Sequence, residues 1–520
     1  MRELPIGIQN FEMLRRDNLI YVDKTKRLLE LIRNGRRYFL SRPRRFGKSL
    51  TLSTLEAMFS GRAELFRGLS AEKWVKEQAQ SPAPVVSIDM SGFDEPKSGQ
   101  ELNEALRFEL EDIAYDKGLK ILYSTTCGRM LKELIRELYK RHGYVVVLID
   151  EYDNPILDKI KSLDKAEEMR EVLRSFYKVL KSCDKYLKFV FITGISKFSK
   201  VGVFSAMNNL EDVSMDEQYG DIVGYTQEEL EGNFGDWIED AARRMNICRS
   251  EMLENLRSYY DGFSFDGNVK LYNPFSIMQS LKKGELGNYW YESGSPSFIV
   301  EWMREHQIEE PEEYRHKIVK TDFVGSQEIE RADPSSFLFQ SGYLTIERKQ
   351  GNVLTLDYPN REVLDSLSSM YLSLIYRVEG YVLLGNEIWK ALREGNISEM
   401  AKLYNTALFG IPYDDYLKNR NEYWYRSMFV MLLRGAGIVS YSEPHTSKGR
   451  ADVVIQFKEL IVVLEFKFAK SSSDVEDMKR KGLEQIYERG YSDSYDSEGR
   501  RIVLAVLVAD DEERQIVIAE

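Results

Sequence analysis

Residues 144–149, YVVVLI, form an apolar, β-branched run without polar alternation, and no other stretch limits the fold as strongly. A strand that meets water on one side alternates apolar and polar residues, whereas one buried on both faces does not. Burial on both faces requires a layer above and a layer below, which helices supply. Further strands are expected at 37–41 (RYFLS), 85–90 (VVSIDM) and 187–193 (LKFVFIT). Helices are expected at 24–34, 50–59, 102–117, 129–141 and 166–181. Strands that alternate with helices imply a parallel α/β sheet.

The pattern changes after Tyr225. Thr226 opens TQEEL, with Glu229 three residues on, as in a capping box. Residues 226–320 are mostly helical and rich in Trp, Tyr and Phe. Residues 343–347, a turn at 349–352 and residues 353–358 make a β-hairpin; with helices before it, this hairpin fits the wing of a winged helix. Residues 361–435 return to helix. The last part is helix, hairpin, strand and helix, ending in a strand at 502–508. At 520 residues the chain is too long for one ordinary core. The expected division is 1–225 for the parallel-sheet domain, 226–400 for the helical middle and 401–520 for a third, α/β domain.

Between the strand at 37–41 and the helix at 50–59 lies Arg45-Phe46-Gly47-Lys48-Ser49-Leu50. A strand–loop–helix context is what a phosphate-binding P-loop requires. Backbone N–H groups and the helix N-terminus attract phosphate. Lys48 suits the β- and γ-phosphates of ATP, and Ser49 suits Mg²⁺. The full pattern has Gly where this chain has Arg42.

The run VVVLI ends in Asp150-Glu151. Asp150 fits an acid that holds Mg²⁺, and Glu151 a base that orients the attacking water. The bland alternative is a strand-end acid pair that caps the next helix. Thr193 and Ser196 follow another strand and fit a group that senses the γ-phosphate. Equally, FITGIS is an ordinary turn in which Gly194 supplies a positive φ.

A second constellation lies in GRADVVIQFKELIVVLEFKF, two apolar strands that meet at Lys458-Glu459. With a two-residue turn, Phe457 opposes Leu460 and Asp452 opposes Glu465. Opposed Cβ atoms lie about 4.5–5.5 Å apart. Two bare carboxylates so close repel, and a hard cation such as Mg²⁺ or Mn²⁺ removes the repulsion. Period-two alternation puts Lys467 on the same face as Glu465. Val454 and Val463 share the face with the acids, which turns them toward a cleft or core. Such a set suits metal-assisted phosphodiester hydrolysis, with Asp452 and Glu465 on the metal and Lys467 beside the water or the phosphate. The competing reading is a salt-bridged cluster on an exposed hairpin. Glu422, on the helix NEYWYRSMFVMLL, is a further candidate acid.

The net charge of −12 argues against a wholly basic nucleic-acid coat, while leaving room for a local basic path. Arg36-Arg37, Arg42/Arg44/Arg45, Lys448/Arg450 and Lys479-Arg480-Lys481 are candidate patches or plain solvated faces. Tyr289-Trp290-Tyr291 and Trp302 suit base stacking or, more simply, a core. No apolar run reaches the length of a membrane span, and MRELPIGIQNF lacks the order of a secretory signal. Three cysteines without a CxxC pair fit reduced thiols and a cytoplasmic protein.

RPRRFGKSLTLSTLEAMF, VVVLIDEYDNPI, LPIGIQNFEMLRRDNLIYVDKT and FITGISKFSKVGVFSAMNNL resemble the AAA-ATPase-like proteins of bacteria and archaea. YYDGFSF, LYNPFSI, YWYESGSPSFI and FQSGYLTI are similar to that family's helical middle. GRADVVI and VVLEFKF resemble its C-terminal PD-(D/E)XK nuclease-superfamily domain. The resemblance spans nearly the whole chain. It implies that Arg42 in place of Gly is normal, and that Gln485 faces the hydrolytic site. The fold it implies is a P-loop NTPase parallel sheet, a helical middle and a restriction-endonuclease-like α/β domain. The expected function is an ATPase that regulates a metal-dependent DNA nuclease in the same chain, with ATP and DNA as partners and a homo-oligomer left open. The alternative is a nucleotide-switched regulatory or nucleic-acid-binding protein whose nuclease-like domain does not cut.

Overall fold

Residues 37–41 form β1 (Arg37–Ser41), every one of them buried, as a strand inside a covered sheet must be. The computed structural model describes residues 1–93, 95–120, 124–159, 162–197, 209–292, 302–303, 314–324, 333–411, 420–438, 441–442, 451–491 and 499–519. They divide into two compact units. One holds residues 1–298 and 314–362, and the other 299–313 and 363–520.

In the first unit β1 is joined by β2 (Val85–Asp89), β3 (Val145–Asp150), β4 (Leu187–Gly194) and a short β5 (Glu211–Asp212). The order is β2-β3-β4-β1-β5, and every pair is parallel. β4 therefore stands between the strand that leads into the P-loop and the strand that ends in the acids. The expected strands and helices form with ends shifted by a few residues. The two-residue edge strand β5 has too little sequence to announce itself. The apolar faces of helices Gly99–Asp116, Cys127–His142 and Leu163–Ser182 pack with β3 and β4 in one continuous core.

The same unit continues past residue 225. Helix Gln227–Met245 begins with the expected capping box. Thr226 Oγ1 accepts from Glu229 N at 3.2 Å, and Glu229 Oε2 accepts from Thr226 N at 2.9 Å. Lys24 Nζ lies 2.6 Å from the same carboxylate oxygen and ties the N-terminal segment to this helix. Helices Arg249–Tyr260 and Pro274–Lys283 complete a second core, which takes in Ile20 and Val22 from the N-terminal segment. The hairpin expected near 343–358 is β7 (Thr345–Gln350) and β8 (Val353–Asp357). A strand the sequence did not reveal, β6 (Lys317–Lys320), pairs with the other edge of β8.

The second unit contains helices Tyr381–Glu394, Ile397–Phe409 and Glu422–Gly435, then a five-stranded mixed sheet. Its strands are β9 (Tyr441–Ser442), β10 (Val453–Gln456), β11 (Leu460–Ala469), β12 (Arg501–Asp510) and β13 (Gln515–Ala519), in the order β13-β12-β11-β10-β9. β11 and β12 are parallel and the other pairs antiparallel. Helix Val475–Arg489 connects the parallel pair and packs on it. The final strand expected at 502–508 is β12; β13 follows it. Among the described residues no helix is long and apolar enough to cross a membrane.

Candidate functional site

The P-loop borders a cavity of about 460 Å³. Gly47 has φ 94°, in the left-handed region, and an added Cβ would meet nothing within 4 Å. Conformation rather than space thus selects glycine there. Gly47 precedes helix Lys48–Phe59, whose N-terminus, with Ser49 and Leu50, faces the cavity. Phe46 contributes backbone rather than side chain. Its ring is buried edge-on to Phe263 and Phe265, and its carbonyl accepts from Gly224 N at 3.2 Å. Lys48 is buried and donates to the carbonyls of Arg42 at 3.0 Å and Pro43 at 3.1 Å. Burial lowers its pKa, against the pull of Glu151 and Asp150.

Arg42, in the place of the usual glycine, is fully buried. It donates to the carbonyls of Ser41 at 2.9 Å and Ser214 at 2.6 Å, and it lies over the Phe265 ring. Burial brings its pKa down to about 10, so it stays charged at neutral pH. Its role is to fasten the end of β1 to the segment after β5. Arg45 has φ 68° and places its guanidinium over Phe275, 4.9 Å from the ring centroid.

Another part of the cavity lining is apolar. Ile8, Leu14 and Val22 come from the N-terminal segment, Val223 from the segment before Tyr225, and Phe275 and Met278 from helix Pro274–Lys283. Basic, N–H-rich lining together with apolar lining is what a nucleotide needs, the first for phosphate and the second for base. The apolar wall was missed in the sequence because its residues look like ordinary core.

Glu151 lines the cavity; Asp150 and Thr193 stand behind it. Ile149 pairs with Ile192, so Asp150 and Thr193 leave adjacent strands side by side, and Thr193 Oγ1 donates to Asp150 Oδ1. Glu151 has φ 48°, a strained value for a non-glycine residue of the kind that clusters at working sites. Burial raises the pKa of Glu151, and Lys48 pulls it back. Ser196 does not reach the cavity. It donates to Asp153 at 2.7 Å, and Ile195 N and Ser196 N bond the same carboxylate. Asp153 is fully buried, and no local pattern singles it out. Gly194 does not have a positive φ, contrary to the turn expected there. It is needed for close approach, since a Cβ would lie 2.4 Å from the Tyr152 ring and 2.7 Å from Asp153 Oδ1.

In the second unit the hairpin has the expected register. Phe457 N donates to Leu460 O at 2.7 Å, and Val453 pairs with Leu464, which sets Asp452 beside Glu465. Val454 and Val463 are buried in the core under the acids, so the hairpin face is not exposed, while the ion pairs of the competing reading are present, Lys467 with Glu465 at 2.7 Å and Arg426 with Asp452 at 2.9 Å. Glu465 is 1% exposed. Its Oε1 accepts from Lys467 Nζ at 2.7 Å, and its Oε2 is buried with no hydrogen-bond partner. Burial, and then Asp452, push its pKa up to about 7. Asp452 Oδ2 accepts from Phe466 N at 2.7 Å. Lys467 Nζ is 3.8 Å from Glu422 Oε2, and burial raises the Glu422 pKa. The carboxyls of Glu465, Asp452 and Glu422 thus surround one lysine. An orphaned, buried carboxylate oxygen within an oxygen-rich set fits a divalent cation.

Arg426 was missed. It donates from Nη1 to Asp452 Oδ1 at 2.9 Å, from one helical turn beyond Glu422. That spacing was the signal available. Gln485 donates to the Tyr491 hydroxyl at 3.0 Å, and the charges of Glu465 and Asp452 act on that tyrosine. Tyr289 and Trp290 are buried, as a core role requires. Lys448, Arg450, residues 198–208 and residues 293–298 lie outside the described residues. His316, Glu347 and Asp357 also come together, but Arg315 already pairs with Asp357 at 3.2 Å.

Residues 5–204 match the family model described as "Predicted AAA-ATPase". Residues 420–518 match that of the "PD-(D/E)XK nuclease superfamily". Over 528 residues the chain is 33% identical to an uncharacterized protein in the vnfD 5′ region of Azotobacter chroococcum mcd 1, across 99% of this chain and 98% of that one. Domains of these two kinds generally work with a nucleotide and with divalent metal ions.

Proposed function

This chain belongs to the AAA-ATPase-like proteins with a C-terminal PD-(D/E)XK nuclease-superfamily domain, and from that premise we propose that it hydrolyses ATP to regulate a metal-dependent DNA nuclease of its own. On this reading residues 1–225 carry the nucleotide chemistry, 226–400 complete the pocket and respond to it, and 401–520 cut. The protein works in the cytoplasm.

ATP enters with its phosphates against Arg45, Phe46, Gly47, Lys48, Ser49 and Leu50. Ser49 and Asp150 would hold Mg²⁺, which neutralises phosphate charge. Glu151 takes a proton from the water whose oxygen bonds to the γ-phosphorus, while the bridging P–O bond breaks toward ADP. Thr193 holds Asp150 in place.

In the nuclease, Asp452 and Glu465 would hold Mg²⁺ or Mn²⁺, whose chemistry is to polarise the phosphate and the attacking water. Phe466 N and Arg426 orient Asp452. Lys467 stabilises charge on the phosphate oxygens as water attacks and the backbone P–O bond breaks. The observation that carries this reading is Glu465 Oε2, buried and unpartnered beside Asp452 and Lys467.

One observation favours a second reading, a nucleotide-switched regulatory or DNA-binding protein that does not cut. Arg426 already neutralises Asp452 and so competes with a metal. The test is incubation of wild type, Asp452→Ala and Lys48→Ala with duplex DNA, single-stranded DNA and RNA, with Mn²⁺, with and without ATP. Cleavage of DNA that Asp452→Ala loses, and that Lys48→Ala uncouples from ATP, is expected. Equal cleavage by wild type and Asp452→Ala would sink the nuclease assignment.

A further inference from the structure

ATP hydrolysis builds charge on the γ-phosphate oxygens, and a cation fixed beside them lowers the barrier. The loop before Lys48 carries three arginines, and the structure separates them. Arg42 is fully buried and engaged by the carbonyls of Ser41 and Ser214. Arg45 is exposed, and its guanidinium is taken up over the Phe275 ring. Arg44 is half-buried and lines the cavity, as do Lys48 and Glu151. Its Nε is buried and has no hydrogen-bond partner. Its main chain is pinned, because Trp290 Nε1 donates to Arg44 O at 3.3 Å. Its charge acts on the Glu151 carboxyl and on Lys48, the two groups between which the γ-phosphate and the attacking water would sit.

We propose that Arg44 is a catalytic residue of the ATPase, supplying from within the same chain the cation that contacts the γ-phosphate. The proposal rests on the ATP-hydrolysis reading above. The guanidinium exchanges no proton. Its N–H groups donate to non-bridging γ-oxygens while the oxygen of water bonds to phosphorus. The electron pair of the breaking P–O bond passes to ADP, and Glu151 takes the proton of the water. A planar fork suits phosphate oxygens better than a lysine ammonium does.

The experiment compares wild type, Arg44→Ala, Arg44→Lys and Lys48→Ala for binding of a fluorescent ATP analogue and for ATP turnover over a range of protein concentrations. Arg44→Ala is expected to bind nucleotide within roughly threefold of wild type, while kcat falls on the order of 10²–10³-fold. Added guanidinium ion is expected to restore part of that turnover, which a merely structural residue would not allow. Arg44→Lys, which keeps charge and bulk, is expected to lose at least about tenfold; it carries the test if the alanine variant does not fold. Wild-type turnover per chain is expected to be independent of concentration. Turnover of folded Arg44→Ala within twofold of wild type overturns the proposal. So does a per-chain rate that climbs with concentration, because the cation then comes from another copy. Wild type that binds ATP but never hydrolyses it overturns the ATPase reading itself, and Arg44 with it.

Discussion

Arg426 Nη1 and Asp452 Oδ1 are 2.9 Å apart, so a guanidinium covers one oxygen of a carboxylate proposed above as a metal ligand. The pair is largely buried, with 11% and 13% of the two side chains exposed. A monovalent cation already offsets part of the repulsion between Asp452 and Glu465.

Replacing Arg426 with alanine removes that offset. The metal-free protein should melt lower near pH 7.5, because two carboxylates then face each other without that guanidinium. Mn²⁺ should raise the melting temperature more in Arg426→Ala than in wild type. A smaller metal-induced shift in the variant would mean that Arg426 helps to build the metal site rather than competing with the ion.

Glu465 makes the hydrolytic unit sensitive to pH. Its pKa is about 7 in the folded protein, against an ordinary 4.5. Between those values the folded state holds a proton that the unfolded state has lost. Stability of the metal-free protein should therefore fall as pH rises from about 4.5 to about 7. Metal loading requires the ionised carboxylate, so affinity should climb with pH up to about 7 and level off above it. Isothermal titration with Mn²⁺ at several pH values measures this, and Glu465→Gln should both weaken binding and flatten the profile.

Lys467 donates to Glu465 and sits near Glu422. Burial works against its charge, but Glu465 and Glu422 outweigh it and its pKa ends up raised. Lys467→Ala should retain Mn²⁺ binding and lose on the order of 10²–10³ in cleavage rate. Loss of metal binding as well would give the lysine a purely structural role.

Arg42 predicts an outcome that the P-loop consensus does not. Restoring glycine, Arg42→Gly, removes the donor that satisfies the carbonyl of Ser214 and leaves space against Phe265. The first unit should lose about 2–4 kcal/mol, seen as a lower urea midpoint, with ATP affinity falling alongside. A glycine variant as stable as wild type would contradict this.

What the sequence made legible follows its short-range signals. The β-branched run before Asp150, the Thr226–Glu229 box and the 452–467 hairpin all act within a few residues, and each stands where the pattern put it. The Asp452–Glu465 register followed from turn length alone, because a one-residue slip would turn the acids to the other face. Asp153 was illegible, since its partners are Ile195 and Ser196, just past the end of β4. Gly194 was misjudged for a related reason. Its constraint is the Tyr152 ring, which local sequence does not reveal. β13 and β6 are short strands whose pairing partners, rather than composition, define them.

The apolar wall of the nucleotide cavity has a consequence for how the molecule can be divided. Ile8 and Met278 border one space although they stand near opposite ends of the first long segment of that unit, residues 1–298. A fragment that stops where the parallel sheet ends, near Tyr225, would keep the phosphate loop but leave the base side open to water. The smallest piece that holds ATP as the whole protein does should extend through Lys283. Bringing the ends of so long a stretch together costs loop entropy, and bound ATP, touching both, would act as a clasp between them.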